Sequence, residues 1–233
     1  MGNREPSVKR GFWHRWLQRK GVGYALVLIL ALLTLWFPLY TISSSVSAGS
    51  ISQQMEWHFL LGDSLQNSTR CSGPIRCTNA SMTQSYTAGR MPHVGSLMQV
   101  SAALWIVGVA ALGVAIAIDI LTAASGTTSR RSRHWLPGLV AIVGLLAPLA
   151  LSLLFLPRDV NADRLAFPNS GSGPGPWASF TGAVQSGGVG LQWGPGLGWF
   201  LLLAAGTGLI LVVLWSWYDQ GLPPQEPLES PEE

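Results

Sequence analysis

Four long apolar runs dominate this sequence and restrict its fold more than any other feature. They cover residues 23–42, 97–124, 135–156 and 196–217. At 1.5 Å per helical residue each run is long enough to cross a hydrocarbon layer about 30 Å thick. Soluble domains disperse apolar residues at helical or strand period, whereas continuous runs of this length belong to helices that face lipid. Charge points the same way. Only 11% of residues are Asp, Glu, Lys or Arg, where soluble proteins carry roughly 25%, so there is too little charge to coat a water-facing surface. The expected fold class is an all-α membrane protein: a four-helix transmembrane bundle with a small disulfide-pinned hairpin in one connecting loop.

Cations next to the runs set the expected topology, because Lys and Arg are retained on the cytoplasmic side during insertion. Arg4, Lys9, Arg10, Arg15, Arg19 and Lys20 precede the first run, and Arg130, Arg131 and Arg133 occupy the short link between the second and third. The much longer segments 43–96 and 157–195 hold only Arg70, Arg76, Arg90, Arg158 and Arg164. The chain therefore divides into a basic cytoplasmic N-terminus (1–22), a first span (23–42), a first extracellular loop (43–96) and a second span (97–124). A cytoplasmic loop (125–134), a third span (135–156), a second extracellular loop (157–195), a fourth span (196–217) and an acidic, disordered cytoplasmic tail (218–233) follow. Both termini lie in the cytoplasm of a plasma-membrane protein. Trp13, Trp16, Tyr24, Trp36, Tyr40, Trp135, Trp199, Trp215, Trp217 and Tyr218 mark the span ends, as interfacial aromatic residues do. The first run also resembles a secretory signal followed by Val46-Ser47-Ala48, but its apolar core exceeds the ~7–15 residues of such signals. Retention is the expectation and cleavage after Ala48 the alternative.

The net charge of +3 does not point to nucleic acid, since the cations flank apolar runs and form no stripe interleaved with aromatic residues. In the first loop Met55, Trp57 and Phe59 alternate with Glu56 and His58 at strand period. Cys71 and Cys77 follow, with Gly73-Pro74 between them to reverse the chain, and thiols facing an oxidising compartment pair. Asn67-Ser68-Thr69 and Asn79-Ala80-Ser81 match the N-glycosylation acceptor pattern and flank the cysteines, which marks the chain as a candidate glycoprotein. The second loop is rich in Gly, Ser and Pro and is expected to be irregular, with Trp177, Phe180 and Trp193 packed on the first loop.

Candidates for chemistry are few. Asp119 is the one acid inside an apolar run, and an ionisable group in lipid is a functional candidate by default. Its place near the cytoplasmic end of the second span favours ion pairing with Arg130, Arg131 and Arg133. Glu56, His58 and His93 are the residue types of a zinc or copper site, but no metal-ligand spacing accompanies them. No P-loop, nucleophile elbow or dinucleotide fingerprint occurs, so neither an enzyme nor a bound cofactor is expected. Gly113 with Ala117, and Ala204 with Gly208, are spaced for close helix packing. Pro148 is expected to kink the third span.

Four spans, cytoplasmic ends and two close cysteines in a larger first loop make a layout that resembles the claudin and peripheral-myelin-protein group of tetraspan proteins. That group's Gly-Leu-Trp motif before the first cysteine is absent: the corresponding stretch reads Trp57-His-Phe-Leu-Leu-Gly62-Asp. The resemblance therefore extends to layout and brings over no functional residue. The expected function is non-enzymatic. Such a protein would act through contacts with a membrane-protein partner or with its own copies, as a structural tetraspan or an accessory subunit, and would bind no nucleic acid. The alternative is a small transporter or channel component that uses Asp119.

Overall fold

The computed structural model describes residues 21–73, 79–125, 135–163, 175–176 and 178–221. It overturns the all-α expectation. Among the described residues four helices are joined to a six-stranded antiparallel sheet, so the fold is mixed α and β. The elements are α1 (Val22–Leu33), β1 (Tyr40–Ala48), β2 (Ile51–Phe59), β3 (Leu65–Ser72), β4 (Ala80–Gln84), α2 (Pro92–Ser125), α3 (Trp135–Ala162), β5 (Gly182–Ser186), β6 (Val189–Pro195) and α4 (Leu197–Gly221). Three of the helices, α2, α3 and α4, are long and apolar enough to cross a membrane.

The first apolar run is divided between two elements. Its helix is only 12 residues long. A turn over Thr34–Trp36 follows it, held by Leu35 N–H donating to Leu32 O (3.1 Å) and Trp36 N–H to Leu33 O (3.1 Å). Pro38 comes next and favours extended backbone before it, and the chain enters β1 at Tyr40. Tyr40 and Ile42, which read as the end of a span, are strand residues. Within β1, Tyr40, Ile42 and Ser44 are buried and alternate with less buried neighbours. The serines had hidden that period-2 signal.

β1 is the hinge of the sheet. It pairs with β2 on one side, from Tyr40↔Phe59 to Ala48↔Ile51, and with β6 on the other, from Tyr40↔Pro195 to Val46↔Val189. The strand order β4-β3-β2-β1-β6-β5 thus joins four strands from the segment after α1 to two from the segment before α4. The second loop, expected to be irregular, contributes a tight hairpin. Gly187 and Gly188 have φ of +57° and +84°, the left-handed region that two-residue hairpin turns require and that glycine enters without steric cost.

Glycines also set the helix packing. α2 and α3 touch at Gly108 and Gly144, where a Cβ on Gly108 would lie 2.8 Å from the Gly144 carbonyl carbon. α1 meets α4 through Gly23 against Val212 and Gly208 against Val27. The expected Gly113–Ala117 pair does not carry this packing: both residues are exposed, and nothing lies within 4 Å of a Cβ built on Gly113. Ala204 is exposed as well. The helix α3 runs through both Pro148 and Pro157, so it continues past residue 156, where a loop was expected. One apolar core connects the two layers, from Leu112, Leu145 and Leu209 among the helices to Phe59, Leu65 and Trp193 in the sheet.

Candidate interaction surface

The two faces of the sheet differ in chemistry. Reading across the register, Thr41, Ser43, Ser45 and Ser47 lie beside Ser52, Gln54, Glu56 and His58, with Gln66, Ser68, Arg70 and Gln192 on the same side. That face carries no large apolar side chain. Its polar groups pair locally: Glu56 Oε1 accepts from Gln54 Nε2 (2.9 Å), and Glu56 Oε2 lies 3.3 Å from His58 Nε2.

The opposite face is apolar and is built in rows. The lowest row, Leu65, Phe59, Tyr40 and Pro195, sits on the helices. Phe59 stacks on Tyr86 at 6.3 Å, and Tyr40 meets Phe180, which in turn meets Trp199. Tyr86 donates to Leu60 O at 2.8 Å. Burial and the nearby Asp63 charge hold its hydroxyl protonated well above the usual tyrosine range. The next row reads Met82, Asn67, Trp57, Ile42, Trp193 and Gly182. Its centre is buried, while Met82 at its β4 end is 56% exposed. Trp193 lies over Gly182 and donates Nε1–H to Ser179 O at 3.0 Å. In the third row Ser44 is buried, Thr69, Met55, Leu191 and Val184 are half-buried and Ala80 at the β4 end is exposed; in the fourth, Val46 and Val189 are half-buried. Apolar surface therefore continues up the sheet beyond the part that the helices cover.

A polar clamp fixes the helix ends at the base of this sheet. Asp163, just past α3, is 5% exposed; its Oδ2 accepts the Val94 N–H at 2.8 Å and its Oδ1 lies 2.7 Å from His93 Nδ1. The carboxylate thus satisfies an otherwise orphaned donor in the first turn of α2, where the helix dipole favours negative charge. Trp105 ties α2 to α1 by donating to Ala31 O at 3.1 Å, and Trp199 ties α4 to α3 through Ser152 Oγ at 3.2 Å.

The candidate residues are distributed as follows. Asp119 is half-buried, and the Tyr24 hydroxyl of α1 hydrogen-bonds to it. Its expected partners Arg130, Arg131 and Arg133 lie outside the described residues. Glu56 and His58 share the polar face, but His93 belongs to the Asp163 clamp, so the three do not converge. No cluster of three or more metal-ligating side chains occurs among the described residues. Cys71 lies near the end of β3 and Cys77 outside the described residues. Asn67 is half-buried on the apolar face, whereas Asn79 is exposed. Of the expected interfacial aromatics, Trp36, Trp215 and Tyr218 are exposed, but Tyr24 and Tyr40 are buried. The side chains of Trp13, Trp16, Trp135 and Trp217, and that of Trp177 in the second loop, lie outside those described. Sequence reasoning missed Asp163; its signal was one of two acids, with Asp159, just after an apolar run, as His93 stands just before one.

No protein-family model matches this chain, and no curated protein matches it.

Proposed function

We propose that this is a non-enzymatic multi-pass membrane protein that works through protein contacts, as a structural tetraspan or as an accessory subunit of a membrane complex. Its sheet stands outside the cell and both termini lie in the cytoplasm. The observation that carries this reading is the apolar sheet face rising above the helices, with Met82, Val184 and Leu191 incompletely covered by the described residues. Apolar patches left accessible on an ordered scaffold mark interaction sites. The cation distribution supports the orientation. Retention of the first helix is supported by β1: cleavage after Ala48 would remove a strand paired on both sides. A Cys71–Cys77 disulfide within the segment that links β3 to β4 belongs to the same reading, since an outside compartment is oxidising. Asp119 meets the Tyr24 hydroxyl and so serves helix packing in this reading; the alternative is a small transporter or channel component that uses Asp119.

The test is purification in mild detergents with mass determined by light scattering. A defined homo-oligomer or a stoichiometric complex is expected, lost on Met82→Asp or Val184→Asp while the helical signal persists. A clean monomer in every detergent, unchanged by these substitutions, would overturn the proposal.

A further inference from the structure

The sheet treats the two glycosylation acceptor sequences differently. Asn67 lies mid-strand in β3, which has neighbours on both sides, β2 and β4. Its side chain sits on the apolar face between Trp57 and Met82, and its Oδ1 is buried with no hydrogen-bond partner among the described residues. A glycan on its Nδ2 would have to leave through that apolar row, separating Met82 from Trp57 and keeping polar sugar against surface that water otherwise avoids. Asn79 stands just before β4, an edge strand, and is exposed. Its Oδ1 accepts the Cys71 N–H at 3.0 Å. That bond fixes the carbonyl side of the amide toward the sheet and turns Nδ2, on the other arm of the same planar group, away from it. Ala80 and Ser81, which complete the acceptor sequence, are exposed too.

We infer that Asn79 carries an N-linked glycan and that Asn67 does not. The inference rests on the proposed placement of the sheet outside the cell. The co-substrate is an oligosaccharide joined through its anomeric carbon to a lipid pyrophosphate. Asn79 Nδ2 forms the new C–N bond at that carbon as the C–O bond to pyrophosphate breaks. The lipid pyrophosphate leaves with the bonding electrons, and the amide proton passes to the transferase. The glycan then sits at the far end of β4, beside one open edge of the sheet, and shields it from strand addition by other chains.

The experiment expresses the full chain in a eukaryotic secretory cell with an epitope inserted in the Gly187–Gly188 turn. It reads gel mobility before and after peptide-N-glycosidase, together with epitope access on intact cells. An accessible epitope with one glycosidase-sensitive mobility step, lost in Asn79→Gln and kept in Asn67→Gln, is the expected result. With an accessible epitope, absence of the step, or its loss in Asn67→Gln, overturns the glycan assignment and leaves the outside placement standing. An inaccessible epitope on a chain that reaches the surface overturns the placement, and the assignment with it.

Discussion

Replacing Gly108 with Ala tests the helix packing at its closest point. The added Cβ would meet the Gly144 carbonyl carbon at 2.8 Å and the Leu145 nitrogen at 2.9 Å, both backbone atoms that no rotamer change can move aside. Carbon atoms pack best at about 3.5–4.0 Å, so α2 and α3 must separate by about 1 Å along their contact. Overpacking of this kind costs about 1–3 kcal/mol. The comparison is Gly113→Ala on the same helix, where the new Cβ meets nothing within 4 Å and no such cost arises. Unfolding in mixed micelles titrated with SDS, followed by tryptophan fluorescence, should show Gly108→Ala destabilised by that amount and Gly113→Ala at or above wild type. Equal loss in both variants, or loss only at Gly113, would refute the packing described here and restore the Gly113–Ala117 face as the contact.

Three further outcomes follow from named contacts. Asp163→Ala removes the acceptor of the Val94 N–H and the partner of His93, and is expected to destabilise by about 1–3 kcal/mol; Asp159→Ala, whose carboxyl makes no such cap, serves as the comparison in the same SDS titration. Tyr86→Phe leaves the Leu60 carbonyl without its side-chain donor and should cost about 1–3 kcal/mol, read as a lower midpoint for loss of the sheet's near-ultraviolet circular dichroism. Asn67→Leu replaces a buried orphan carbonyl in an apolar row and should raise stability by about 1 kcal/mol; a lower midpoint would show that Asn67 has a polar role on that face.

The helical half of the fold was legible because lipid-length apolar runs are a local signal that three helices obey directly. The sheet was legible only in part. Met55, Trp57 and Phe59 announced β2 by alternation, but β1 places Ser44 after Tyr40 and Ile42 on its buried face, and the loss of apolar contrast at Ser44 concealed its period. β6 needs β1 as a partner some 150 positions away in sequence, and no pattern within Val189–Pro195 states that pairing. The Gly-rich composition of 157–195 suggested irregular structure, yet Gly187 and Gly188 serve one hairpin turn and Gly182 makes room for Trp193. Helix contacts were misplaced for a related reason. Small residues at four-residue spacing permit close approach on any face, and only tertiary structure distinguishes Gly108 from Gly113. At the candidate surface, the two long loops supply all six strands, and their union into one platform was not legible in the sequence.

That union is the claim to test most directly, by oxidative cross-linking of Ser43→Cys with Gln192→Cys in a Cys71→Ser, Cys77→Ser background. The two positions are paired across β1 and β6 on the polar face, and directly opposed residues hold their Cβ atoms about 4.5–5.5 Å apart. Ser43→Cys with Ala183→Cys is the control, because β5 lies one strand farther, at about 10 Å, beyond the ~7 Å that a disulfide can bridge. Mass spectrometry of the membrane-embedded protein should find the Ser43–Gln192 link in high yield and the control link absent. Equal yields for the two pairs, or no link at either, would contradict a single sheet shared by the two segments.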